Sequence, residues 1–212
     1  MQKQELINFW KERLKLNPEI IDAFNKINRE NFVLPENKGV AYQDTPLPIL
    51  RGKTISQPTT VMIMTLALEV KKGHNVFEVG SGSGYQTSIL AHIVGDKGSV
   101  VSTDVIPELV EFARQNIKKV NLKNVKIFEE DGSKGLQEQA PYDRIIITAA
   151  CKEFPQPLLE QLKPGGIIVG PVGDANEQEM VKGVKDKSGR LELHFLGQFL
   201  FSPLYGKYGF EV

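Results

Sequence analysis

The chain is poor in the residues that most often do chemistry. Among 212 residues there are one cysteine (Cys151), one tryptophan (Trp10) and three histidines (His74, His92, His194). A single thiol closes no internal disulfide and fits a reducing compartment, so a cytoplasmic setting is expected. No two histidines stand at metal-ligand spacing and Cys151 gives them no partner, so no metal is expected. As a nucleophile Cys151 lacks a visible base. An excess of charge of one sign is also missing. Lys plus Arg and Asp plus Glu number 26 each, which leaves no net basicity for nucleic acid or an acidic membrane. No uninterrupted apolar run approaches the roughly 20 residues that cross a bilayer. The segment Met1-Gln2-Lys3-Gln4-Glu5 has no apolar signal core. There are no internal repeats or low-complexity tracts. The length suits one good core, or one core with an appendage.

What is present is organised around Asn75-Val76-Phe77-Glu78-Val79-Gly80-Ser81-Gly82-Ser83-Gly84-Tyr85. A short β-rich run ends in three glycines spaced by single residues, and a helical pattern over 85–94 follows. Strand, glycine turn and helix bring a nucleotide-like ligand against backbone amides and a helix N-terminus. In the dinucleotide fingerprint the third glycine stands five residues after the first. Here that position is Tyr85, and the third glycine comes one residue early, at Gly84. Glu78, two residues before the first glycine, suits a cation better than a pyrophosphate. S-adenosylmethionine, with its sulfonium and ammonium, is such a cation. Two more acids close the next two apolar runs: Asp104 after 99–103, and Asp131, followed by Gly132, after 125–128. Asp104 is placed to accept from ribose hydroxyls. Asp131 is placed to accept from the adenine amino group, with Gly132 letting the base approach. Each acid alone also reads as a helix cap or a solvated turn residue. Three at successive strand ends argue for one ligand.

Elsewhere, Leu6, Phe9, Trp10 and Leu14 predict a packing helix within 3–16, and Asn17-Pro18 starts a second. From 29 to 58 periodicity is lost among Pro35, Gly39, Pro46, Pro48 and Gly52. The apolar content there predicts an ordered cover loop. Ser56-Gln57-Pro58 reads as a helix start. Ser56 is then either an N-cap hydroxyl or a hydroxyl aimed at a ligand. Strands are predicted over 75–79, 99–103, 125–129, 143–148 and 166–170, and helices over 85–94, 107–120 and 155–162. This alternation predicts a doubly wound α/β fold, a mostly parallel Rossmann-like sheet with helices on both faces. Two late strands, 179–184 and 191–201, predict an antiparallel hairpin turning at 186–189. A single domain over 1–212 is expected: N-terminal helices and cover loop at 1–58, a donor-binding core at 59–173, and hairpin and tail at 174–212. A monomer is expected, because no exposed apolar stripe is left over.

Several segments together resemble the protein-L-isoaspartate O-methyltransferase family. They are Arg29-Glu30-Asn31-Phe32-Val33, Ala41-Tyr42-Gln43-Asp44-Thr45-Pro46-Leu47-Pro48-Ile49, Gly52-Lys53-Thr54-Ile55-Ser56-Gln57-Pro58, the glycine turn, Asp131-Gly132, Ala140-Pro141-Tyr142-Asp143, Gln161-Leu162-Lys163-Pro164-Gly165-Gly166 and Pro171-Val172-Gly173. The glycine turn is common to many methyltransferases, whereas Thr54 to Pro58 after a proline-rich cover is far more specific. The resemblance implies S-adenosylmethionine as methyl donor, held by Glu78, Gly80, Ser81, Gly82, Gly84, Asp104, Asp131 and Gly132. It implies L-isoaspartyl residues of damaged proteins and peptides as acceptor, bordered by Thr54, Ile55, Gln57 and Pro58, with Ser56 at the active site. It also implies that the product ester collapses to a succinimide unaided, and that the last two strands are swapped relative to other methyltransferases. Thr59 departs from relatives that carry an aromatic there. The competing readings are a methyltransferase of small molecules or RNA, a non-catalytic relative that binds the donor, and an NAD-dependent enzyme, against which Tyr85 argues.

Overall fold

The computed structural model describes residues 3–210; the outermost expected domain bounds, 1 and 212, lie outside them. Two amphipathic helices, α1 (Lys3–Arg13) and α2 (Pro18–Lys26), bury Leu6, Ile7, Trp10, Ile20, Ala23 and Phe24. Trp10 meets Phe24 edge-on at 4.6 Å between centroids. The first helix stops short of the expected residue 16. Lys15 turns left-handed (φ 51°), and the Asn17 side chain then caps α2 by accepting from the Ile20 amide at 3.1 Å.

The cover is ordered, as its composition predicts. It consists of three 3₁₀ turns, Arg29–Asn31, Pro35–Val40 and Leu50–Gly52, with a small antiparallel ribbon of β1 (Leu47–Pro48) and β2 (Thr54–Ile55). It leads into α3 (Pro58–Leu68), whose proline sits in the first turn where no amide partner is lost.

The remaining elements run β3 (Asn75–Val79), α4 (Tyr85–Val94), β4 (Ser99–Asp104), α5 (Pro107–Lys119), β5 (Val125–Glu129), β6 (Tyr142–Ile147), α6 (Gln156–Gln161), β7 (Leu162–Gly173), β8 (Gln178–Lys185) and β9 (Leu191–Phe199). They form one seven-stranded sheet in the order β5-β4-β3-β6-β7-β8-β9. The first five strands are parallel; β8 and β9 add antiparallel in sequence order, with β9 at the edge. β7 begins earlier than the expected residue 166. Leu162 pairs with Tyr142, and a register shift before the Arg144–Ile167 pair accommodates Lys163-Pro164-Gly165-Gly166.

Strand alternation gives the sheet two apolar faces. Val76, Val100 and Ile146 pack with α3 and α4, while Phe77, Val101 and Ile145 pack with Leu158 of α6. β3 lies between β4 and β6, so the chain leaves it in one direction for β4 and later returns on its other side as β6. The two crossovers diverge at the strands' C-terminal ends and open a crevice there. Phe77, fully buried in β3 and stacked on Tyr142 at 4.9 Å, anchors the strand beneath that crevice. Phe77→Ala is expected to cost about 3–5 kcal/mol of unfolding free energy. Urea denaturation checks this, and a loss below about 1 kcal/mol would contradict the packing.

Candidate active site

The glycine turn is pinned to the neighbouring strand. The amides of Gly80 and Ser81 both donate to the Thr103 carbonyl, at 2.8 and 2.9 Å. The Thr148 hydroxyl, at the end of β6, reaches the Val79 and Gly80 carbonyls at 2.9 and 2.6 Å. Gly80 has φ 94°, and a Cβ there would stand 2.5 Å from the Thr148 hydroxyl oxygen, so both conformation and space require glycine. Gly84 caps α4, directing the helix N-terminus toward the crevice.

Glu78 lies under this turn with no exposed surface. One carboxyl oxygen accepts from the Thr87 hydroxyl; the other, Oε1, is buried with no hydrogen-bond partner. Burial, opposed by the Thr87 contact, pushes its pKa up to about 8. Asp104 accepts from the Gly82 amide at 3.0 Å and the Ile106 amide at 3.1 Å, one on each oxygen. A carboxylate has about four acceptor positions, so acceptor capacity remains for a ligand. Burial raises the Asp104 pKa against these amides.

Across the crevice stands the cover. Ser56 is not the cap of α3. Gln57 takes the cap position without a side-chain bond, and Asp44 does the capping from the loop. Its two oxygens accept from the Thr59 amide at 2.9 Å and the Thr59 hydroxyl at 2.6 Å. The Trp10 indole donates to the same hydroxyl at 2.8 Å. Thr59 therefore joins α1, the cover and α3 in one buried junction. Among the described residues the Ser56 hydroxyl has no hydrogen-bond partner, which leaves it available to a ligand.

Between turn and cover lies one cavity of about 830 Å³. Glu78, Gly80, Ser81, Gly82, Asp104 and Gly132 line one side and Thr54, Ile55, Ser56 and Gln57 the other. Three expected residues stand off it. Gly84 packs against Ala113. Pro58 is buried in the first turn of α3. Asp131 turns its carboxylate to Ser133 and to the Lys207 amide, at 2.8 Å for the latter, and so ties down the tail; Glu130 reaches the cavity instead. Gly132 is needed for close packing, since a Cβ would meet the Thr103 hydroxyl oxygen at 2.3 Å. No histidine lines the cavity. Cys151 is fully buried, its pKa pushed up to about 12 by burial, which suits neither a nucleophile nor a ligand.

The family model for protein-L-isoaspartate(D-aspartate) O-methyltransferase matches residues 1–209. The chain belongs to that family. It is 43% identical over 210 residues to protein-L-isoaspartate O-methyltransferase 2 of Archaeoglobus fulgidus, covering 99% of this chain and 95% of that protein. It is 46% identical over 194 residues to the Pyrococcus abyssi protein-L-isoaspartate O-methyltransferase, covering 91% and 89%. A solved protein-L-isoaspartate O-methyltransferase superposes with TM-score 0.88 at 28% identity, over 98% of this chain and 67% of that one. A Plasmodium falciparum structure described as a putative member, in complex with S-adenosyl-L-homocysteine, shares the fold with TM-score 0.84 at 24% identity, over 97% and 99%.

Asp44, Thr148, Lys53 and the wall from Gln198 to Tyr205 also belong to the cavity and its supports, and local sequence does not mark them as site residues. Thr148 was open to detection, because it follows β6 on the same edge as the acids. Asp44 caps a helix fifteen residues away, which no local pattern signals.

Two outcomes are expected. The folded Glu78 pKa lies above its ordinary 4.5, so between about pH 4.5 and 8 the folded protein keeps a proton that the unfolded chain releases. Stability from this group is full below that window and falls as pH rises through it, by an amount on the order of a few kcal/mol. Glu78→Gln should flatten that part of the stability profile in urea titrations; an unchanged slope would contradict it. Asp44→Ala, which uncaps α3, should lose about 1–2 kcal/mol in the same assay, with Asp44→Asn recovering part of the loss. An Ala variant as stable as the parent would sink the junction.

Proposed function

We propose that this cavity transfers a methyl group from S-adenosylmethionine to the free α-carboxylate of L-isoaspartyl residues in damaged proteins and peptides, initiating their repair. The observation that carries the reading is the facing of the two family segments, Thr54 to Gln57 and Glu78 to Ser83, across one cavity. The donor fits the first-described side. Glu78 offers a buried, unpartnered Oε1 to a cation, and Asp104 keeps free acceptor capacity for hydroxyls. When bound there, the donor supplies an electrophilic methyl group on a sulfonium.

The chain's own residues hold and dry the reactants. An acceptor carboxylate with an ordinary pKa near about 4 is ionised at neutral pH and needs no general base. That agrees with a cavity lined by no histidine. Ser56 is placed to orient the carboxylate through its free hydroxyl. Glu78, ionised beside a cation, helps to fix the donor. Transfer cancels a positive against a negative charge, so excluding water strengthens the attraction that is being satisfied. The cover supplies the exclusion, and alignment of oxygen, carbon and sulfur supplies most of the rest.

Balanced charge and a single buried cysteine support a cytoplasmic protein without nucleic-acid or membrane partners. Among the described residues no helix is long and apolar enough to cross a membrane.

The test is transfer of labelled methyl to a matched pair of peptides, one isoaspartyl and one aspartyl. Label on the isoaspartyl peptide alone is expected. Label on neither, with donor binding intact, would return the acceptor to unknown. Ser56→Ala should lower kcat by about tenfold to a hundredfold while donor binding by calorimetry stays nearly unchanged. Full turnover in that variant would remove Ser56 from the mechanism.

A further inference from the structure

The cover and the C-terminal tail meet at the cavity. Lys53, from the cover, sets its ammonium over the Tyr205 ring of the tail, 4.7 Å from the centroid, and both residues line the cavity. Both side chains are half-buried. The contact stands at the Asp104 end. Burial raises the Asp104 pKa, and the charge of Lys53 is near enough to work against that rise. On the other side, Tyr205 is followed at once by residues tied to the loop of Gly132, which also lines the cavity.

The backbone behind each side chain is fixed. Lys53 closes the turn of Leu50–Gly52. Its amide donates to the Leu50 carbonyl at 3.1 Å, and its carbonyl accepts from the Ile49 amide at 2.8 Å. On the tail, the Ser202 carbonyl accepts from the Ala150 amide at 2.8 Å, and the Leu204 amide donates to the Ala150 carbonyl at 2.7 Å. Beyond Tyr205, the amides of Lys207 and Tyr208 donate to Asp131 and to Ser133 Oγ, at 2.8 and 3.1 Å. Gly206 passes so close that a Cβ would stand 2.0 Å from an Asp131 oxygen. The tail is therefore a strap held at both ends, with Tyr205 between the two attachments. With both backbones held, opening falls to the side chains, and the flexible Lys53 stem has the rotatable bonds for it.

We propose that Lys53 and Tyr205 form a clasp over the Asp104 end of the cavity, past which the methyl donor and its demethylated product move only when the two side chains part. The inference rests on the reading of this cavity as the donor site. A clasp of this kind is a barrier to entry and exit alike, so it sets rates more than affinity. A side chain that touches the ligand sets affinity instead, chiefly through dissociation. That difference separates the clasp from Glu78 and Asp104, which are placed to hold the donor itself.

The probe is S-adenosyl-L-homocysteine, with its association and dissociation rates read by surface plasmon resonance on the immobilised protein. Lys53→Met keeps the stem and removes the charge. It should raise both rates about threefold to tenfold while the equilibrium constant changes by less than about twofold. Tyr205→Leu should do the same. Lys53→Arg and Tyr205→Phe, which keep a cation and a ring, should bring the rates back toward those of the parent. Combining Lys53→Met with Tyr205→Leu should give rates no faster than either substitution alone, because one contact can be lost only once. Unchanged rates in both single variants, effects that multiply in the double variant, or an affinity loss carried by dissociation alone would each overturn the clasp. A parent protein that does not bind S-adenosyl-L-homocysteine would overturn the reading of the cavity, and the clasp with it.

Discussion

The Thr103 carbonyl, which accepts two successive amides of the glycine turn, is the contact on which the site depends. It fixes the turn between β3 and β4, while Thr148 fixes the same turn to β6. The three strands at the switch point are thereby joined at one place. With Gly80 and Ser81 so held, Gly82 presents its amide to Asp104 and Gly84 opens α4. Glu78 is shut beneath, where burial raises its pKa and disfavours the charged form.

The second constraint is the cover, and its contacts differ in weight. Arg51 pairs with Glu108 at 3.3 Å, but both side chains are well exposed, so that bridge contributes little. The buried Asp44–Thr59–Trp10 junction matters more, because breaking it leaves polar groups unpaired out of water. Arg29 adds to it. Fully buried, it donates from Nε to the Ala41 carbonyl at 2.8 Å and lies over the Tyr85 ring, so the cover is tied to the first residue of α4. Thr59 is part of this junction and not of the cavity wall.

The sheet was legible because β-rich and helical runs alternate at ordinary lengths, and strand ends stand beside glycines and acids. Glu78 and Asp104 could be placed from that pattern alone. Asp131 could not, because whether an acid faces a ligand or caps a turn depends on the tail around Lys207, which joins it only in three dimensions. Ser56 was ambiguous for a similar reason. A hydroxyl before a helix reads as its cap until Asp44, brought by the loop, takes that duty. The exposure of Leu193 and Phe195 on β9 was hidden because an alternating edge strand reads like any half-buried one.

The chemistry proposed for the cavity is one of holding and drying, without acid–base assistance. The most direct test is kcat for an isoaspartyl peptide against pH, at saturating donor and peptide. A flat profile is expected from about pH 6 to 9, because the acceptor is ionised throughout that range. A limb with a midpoint near about 6.5 would mean that an imidazole takes part in the rate-determining step, and the account would be wrong.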